Sequence, residues 1–205
     1  MEGPTSNLER EKKYFVEESE AKKLKKMSIF QLGVAQWYLG DCSELLKQIG
    51  LKISTSSGKS SEGCRIRYTT TPEGEESWVV AFKTDVSEDF TREEWEYEFE
   101  PFEGLENLLK SQPVVVKIRY FLLLKPAEVV LDEFIKLEQD YSVHVAHVVE
   151  IETDEPFERY EKLFGLKKPM GIEDFKRYSN KNIAVRSELG FGEIKALLLK
   201  ALREH

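Results

Sequence analysis

The chain has 205 residues, 40% of them hydrophobic and 33% charged, with a formal net charge of −8. That length suits a single domain over residues 1–205 with a buried core. The acidic balance argues against binding of a nucleic-acid polymer, whose backbone phosphates would be repelled.

Residues 1–30 are polar and rich in Lys, Arg and Glu, unlike a signal peptide. No apolar run reaches the roughly 20 residues of a membrane span, so no membrane partner is expected. Cys42 and Cys64 are too few for a disulfide framework, and a reduced cytoplasmic protein is expected.

In chain order, residues 8–16 read as a strand, with Glu9, Glu11 and Lys13 on one face and Leu8, Tyr14 and Val16 on the other. Residues 17–27 read as a helix, and 29–40 as a strand interrupted near Gly33. Asp41 is placed to cap a short helix over 42–49. Residues 54–63 form a Ser/Gly loop. Residues 64–71 and 78–84 flank a Pro-Glu-Gly turn and predict a hairpin. Strands follow at 92–100, 114–124, 129–135 and 143–153, with a short helix at 105–109. From Pro156 the pattern predicts helices over 157–164, 172–178 and 187–203. About eight strands with short connections imply antiparallel pairing, and closure into a barrel would remove the edges.

Charged residues recur at i, i+2 on several strands: Glu9/Glu11/Lys13, Arg65/Arg67, Glu94/Glu96/Glu98, Lys117/Arg119 and Glu150/Glu152. Lys83 faces opposite to Val80 and Phe82. A charged strand face ordinarily means a solvated surface. Here the opposite faces are apolar and aromatic, as in Trp95/Tyr97/Phe99 and Val116/Ile118/Tyr120, and the charges segregate into acidic and basic sets. Lys and Arg suit phosphate oxygens, and carboxylates suit Mg²⁺ or Mn²⁺. A divalent metal would reconcile the two sets around one anionic substrate.

Glu9-Arg10-Glu11-Lys12-Lys13 resembles the N-terminal ExExK signature of the CYTH superfamily, the triphosphate tunnel metalloenzymes. Similar in order to that family's later motifs are 36–39 (QWYL), 65–67 (RIR), 81–83 (AFK), 96–98 (EYE), 117–120 (KIRY), 131–134 (LDEF), 149–152 (VEIE) and 176–180 (KRYSN).

The resemblance implies an α+β, mainly β fold: a closed eight-stranded antiparallel barrel, or tunnel, with flanking helices. It implies that Glu9, Glu11, Glu150 and Glu152 hold Mg²⁺ or Mn²⁺. Lys13, Arg65, Arg67, Lys83, Lys117, Arg119, Lys176 and Arg177 would bind phosphates. Glu96 and Glu98 would act in catalysis, by holding a second metal or positioning the water, and Asp132 would line the tunnel or serve only structure. The implied activity is hydrolysis of a small-molecule triphosphate, first inorganic triphosphate, by a monomer or homodimer. Thiamine triphosphatase and class IV adenylyl cyclase are the alternatives.

Other features have plainer readings. His144 and His147 are three apart on a strand and face opposite sides, so they do not share a metal. Trp37, Trp78 and Trp95 are expected in the core. Residues 22–26 (KKLKK) follow Glu17, Glu18 and Glu20 and read as a solvated helix face.

Overall fold

The computed structural model describes residues 7–51, 64–83, 91–137 and 145–204. The strands are β1 (Asn7–Phe15), β2 (Phe30–Leu39), β3 (Cys64–Thr70), β4 (Glu76–Lys83), β5 (Thr91–Glu98), β6 (Pro113–Leu123), β7 (Glu128–Phe134), β8 (His147–Glu152) and β9 (Val185–Arg186). The helices are α1 (Glu18–Lys25), α2 (Ser43–Gln48), α3 (Leu105–Leu109), α4 (Phe157–Phe164), α5 (Ile172–Arg177), α6 (Asn180–Ile183) and α7 (Phe191–Arg203). The strand expected over 29–40 runs through Gly33 without interruption.

Pairing is antiparallel throughout, in the order β2-β3-β4-β5-β1-β8-β7-β6-β9, and β2 also pairs with β6. The expected closed eight-stranded barrel is corrected on two counts. Among the described residues the sheet has nine strands, the last a two-residue edge on β6. Continuity also lapses at β1. Among the described residues, β5 pairs with residues 7–10 of β1 alone; residues 11–15 pair with β8, and on the side that β5 leaves, Tyr14 bridges Pro169, which belongs to no strand. Alternation assigns the faces of a strand but carries no information about this stagger.

The alternation places two environments back to back. Tyr14, Trp37, Ile66, Tyr68, Val80, Ile118, Leu131, Val149 and Ile151 form the main apolar core on the outer face, with helix residues such as Leu24, Leu105, Tyr160, Ile194 and Leu198. Trp37 and Trp78 lie buried in that core, and Trp95 is half-buried against it. Each fully buried Leu or Ile contributes roughly 1.5–3 kcal/mol, so helix packing outside the sheet stabilises the charged inner face.

Several local devices fix the helices. A Cβ on Gly33 would lie 3.0 Å from Thr70 Cγ2 and 3.1 Å from Leu198 Cβ, so glycine lets α7 approach β2 closely. The N-cap of α2 is Cys42 rather than the expected Asp41, whose carboxylate, one residue earlier, accepts the Ser43 N–H at 2.9 Å. Gly165 ends α4 at φ 69°, the left-handed conformation that favours glycine. Arg10 lies 4.3 Å from the Phe157 ring centroid and Lys12 pairs with Glu161 at 2.7 Å, which seats α4 on β1.

The cysteines also require correction. Cys42 and Cys64 form a disulfide across 22 residues with their Cα atoms 6.1 Å apart. Two cysteines are too few for a framework, but a single bridge between α2 and β3 needs no more. Among the described residues, no helix is long and apolar enough to cross a membrane.

Candidate functional site

The inner face is built from neighbouring rows. Glu11 on β1 is in register with Glu152 on β8, which is in register with Glu128 on β7. One step along, Lys13 faces Glu150. On β6, Arg119 faces Asp132 of β7. Arg65 and Arg67 on β3 face Tyr38 and Gln36 of β2.

Each described cation of this face meets a carboxylate. Lys13 Nζ lies 2.5 Å from Glu150 and 3.2 Å from Glu11. Arg119 donates to both oxygens of Asp132 at 2.8 Å and to Glu150 at 2.6 Å, with Glu128 4.0 Å away. Lys117 donates to Asp132, and both side chains are 0% exposed. Arg65 and Arg67 donate to the two oxygens of Glu96 at 3.0 and 2.9 Å. The first three contacts are deep in the sheet, whereas the Glu96 side chain is 38% exposed.

Charge and burial set the proton affinities. Burial alone would raise the Glu150 carboxyl, but the charges of Lys13, Arg119 and Lys117 overcome it and hold the group well below its ordinary value. Burial and the neighbouring Arg119 pull the Lys117 ammonium down to about 8, against the Asp132 and Glu150 charges. Burial, with the negative charges of Glu150 and Asp132, raises the Glu128 carboxyl, against the lowering pull of Arg119 and Arg67.

One end of the face is apolar. Val148, Met170 and Phe175 form a separate buried cluster, with Phe15, Phe134, Val145 and Tyr178 packed against it. Phe15 and Tyr178 meet edge to face at 5.1 Å. Lys13 Nζ is 5.2 Å from the Phe175 ring and Lys117 Nζ 5.5 Å from that of Phe134. The segment carrying α5 therefore closes this end of the charged face.

The structure brings together Glu11, Lys13, Arg119, Glu150 and Lys117 in one cluster, and Arg65, Arg67 and Glu96 in another. Glu152 is exposed, in register with Glu11. Glu98 is exposed on β5. Lys176 and Arg177 follow Phe175, whose ring is 5.2 Å from Lys13 Nζ. Both are exposed on α5, because its helical period turns Phe175 inward. The side chains of Glu9 and Lys83, and His144 and His205, lie outside the described residues. His147 lies on the outer side, 3.4 Å from Glu133 and 3.6 Å from Glu18.

Sequence reasoning gave no role to Glu128, Gln36 or Asn180. Asn180 donates to the buried Gln36 amide oxygen at 2.9 Å and ties α6 to the inner face. Both residues stand in motifs quoted from the sequence, but only the fold makes them neighbours. For Glu128, the signal was its i−4 spacing from Asp132 on the same strand face.

Among the described residues, no group of three or more His, Cys, Asp or Glu is gathered to hold a metal ion. The donor chemistry nonetheless suits Mg²⁺ or Mn²⁺, since Glu11, Glu150 and Glu152 are hard oxygen donors on adjacent strands. The Lys13 ammonium already stands as a cation between Glu11 and Glu150.

No protein-family model and no curated protein matches the sequence. The chain is similar to the solved PH1819 protein from Pyrococcus horikoshii OT3, with 20% identity and a TM-score of 0.50 over 95% of this chain and 98% of that one. A Bacillus halodurans protein provisionally named an adenylate cyclase shares 14% identity, with a TM-score of 0.46 over 84% of this chain and 98% of that one. The inorganic triphosphatase NE1496 shares 18% identity, with a TM-score of 0.40 over 85% of this chain and 96% of that one. At those lower TM-scores, the last two carry no argument about activity here.

Proposed function

We propose that this chain, which shares its fold with the PH1819 protein and whose motifs resemble those of the CYTH superfamily, is a metal-dependent hydrolase of a triphosphate-containing small molecule, with inorganic triphosphate as its substrate. The observation that carries this reading is the inner face itself: Lys13, Arg65, Arg67 and Arg119 converge there, each held by a carboxylate that a phosphate oxygen can replace. A merely solvated sheet surface would not keep Lys13 and Glu11 at 4% and 5% exposure. The apolar closure around Phe175 favours a compact substrate, because it leaves the charged rows without a polar lining at that end.

Glu11, Glu150 and Glu152, with Glu9 beside them in sequence, would hold Mg²⁺ or Mn²⁺. When bound, that metal neutralises phosphate charge and orients water. The chain's own residues do the rest. Arg65 and Arg67 present planar forks at the more open side, and Arg119 and Lys13 supply charge from the deeper rows. Water attacks a terminal phosphorus, the phosphoanhydride bond breaks, and the departing diphosphate keeps the bridging oxygen. Glu96, half on the solvent side of the two arginines, would orient that water.

The test is phosphate release from inorganic triphosphate, thiamine triphosphate and ATP with Mg²⁺ and Mn²⁺, assayed alongside cyclic AMP formation. Wild-type protein should release phosphate from inorganic triphosphate, and Glu11→Gln should abolish release with its circular dichroism unchanged. Normal release by a folded Glu11→Gln protein would overturn the reading. Cyclic AMP without free phosphate would assign a cyclase instead.

A further inference from the structure

We propose that Lys117 is a positioning residue that acts through Asp132 on Arg119, and that Arg119 alone of the two β6 cations touches the phosphate chain. This rests on the triphosphate reading above and assigns its contacts more finely.

Lys117 and Arg119 are two residues apart and point to the same face of β6. Their burial differs. The Lys117 side chain is 0% exposed, as is that of Asp132, whereas Arg119 is 16% exposed. A phosphate arriving from solvent meets Arg119 first and finds no open path to the Lys117 ammonium.

The hydrogen bonds point the same way. Asp132 takes Arg119 Nε on one oxygen and Nη2 on the other, both at 2.8 Å. The second oxygen also accepts from Lys117. Lys117 therefore sits behind the carboxylate that grips the guanidinium. Nη1 of Arg119 lies on the side away from Asp132, 4.0 Å from Glu128. A carboxylate with no exposure cannot swing aside as Glu96 can, so Asp132 remains in place when phosphate enters. Without the Lys117 charge, Asp132 would be a buried anion drawing Arg119 inward. With it, Asp132 is shared between two cations and the guanidinium fork stays extended toward the inner face.

The test is a double-mutant cycle on Lys117→Met and Arg119→Met, with thermal unfolding recorded for every variant. Binding of inorganic triphosphate is measured by calorimetry in EDTA, where no turnover occurs, and KM and kcat with Mg²⁺. Lys117→Met should weaken triphosphate binding about tenfold in the wild-type background and raise KM more than it lowers kcat. In the Arg119→Met background the same change should have no further effect on binding. Equal losses in both backgrounds would make Lys117 a direct phosphate contact and overturn the proposal, as would unchanged binding in the single variant. Should Lys117→Met not fold, Lys117→Gln keeps a donor for Asp132 and is read through the same cycle. A wild-type protein that binds triphosphate without hydrolysing it would remove the proposed reaction, while the binding cycle still decides the role of Lys117.

Discussion

The ammonium of Lys13 lies 2.5 Å from the carboxylate of Glu150, its register partner on the adjacent strand. The same ammonium is 3.2 Å from Glu11, so one lysine neutralises two deeply placed carboxylates. Lys13→Met would leave both facing each other without their cation. Breaking a buried pair in this way costs roughly 3–5 kcal/mol. We expect a lowered melting temperature that Mn²⁺ restores, and about tenfold tighter Mn²⁺ binding than in wild type. Calorimetric titration of Mn²⁺ into both proteins is the check, and equal affinities would rule out competition between Lys13 and the metal.

Glu96 differs from the deep carboxylates because its side chain is 38% exposed and yet bridges both β3 arginines. It competes with an entering phosphate for the same two forks. Glu96→Gln should therefore tighten triphosphate binding by roughly three- to tenfold, the equivalent of about 1 kcal/mol, while turnover falls. Separate measurement of the dissociation constant and kcat tests this. Weaker binding would show that Glu96 orients the arginines instead of competing for them.

On the outer side, Glu133 collects three groups from different elements. Burial alone would raise its carboxyl, but hydrogen bonds from His147, Lys25 and Tyr120 and the Lys25 charge hold it down at about 2. A carboxyl depressed on folding contributes stability that is complete above its unfolded value. That stability is lost as pH falls through the folded one. Glu133→Gln should therefore lower stability at neutral pH, by about 3 kcal/mol at most. Its deficit relative to wild type should shrink between about pH 4.5 and pH 2. Chemical denaturation across that range checks the slope, and a deficit constant with pH would dismiss the ion-pair account.

The Cys42–Cys64 bridge closes a loop of 22 residues. In the chain-entropy account, such a loop stabilises the fold by about 3 kcal/mol. A Cys42→Ser/Cys64→Ser protein should melt lower than oxidised wild type and match wild type treated with reductant. A variant melting with oxidised wild type would show that the bridge does not constrain the unfolded chain.

Much of this site was legible in the sequence because period-2 alternation is a local property. Within each strand, Glu11 with Lys13, Arg65 with Arg67, Lys117 with Arg119 and Glu150 with Glu152 could be assigned to one face by counting residues, and the motif resemblance implied that those faces meet. Their partners could not be assigned in this way. That Arg119 grips Asp132 while Arg65 and Arg67 share Glu96 depends on strand order and register. The closed barrel failed at a similar point, since nothing in residues 7–15 reveals that, among the described residues, β5 stays beside β1 only as far as Arg10 and Pro169 bridges Tyr14 beyond it. Motif order pointed to Lys176 and Arg177 on α5, but it gave no sign of Phe175, which a helix turning about 100° per residue places inward beside them. The bridge between Cys42 and Cys64 spans residues whose proximity no local pattern encodes.

The pairing of every described inner-face cation with a carboxylate bears on how binding responds to the solution around it. A bare basic groove gathers mobile salt ions and releases them when an anion arrives, which makes its affinity fall steeply with ionic strength. Here the ions displaced are Glu96 and its counterparts, fixed to the protein and still present after the exchange. Triphosphate should consequently be held with a shallow dependence on potassium chloride. Discrimination would then follow from how well a ligand replaces the geometry of the carboxylates, more than from the number of charges it brings.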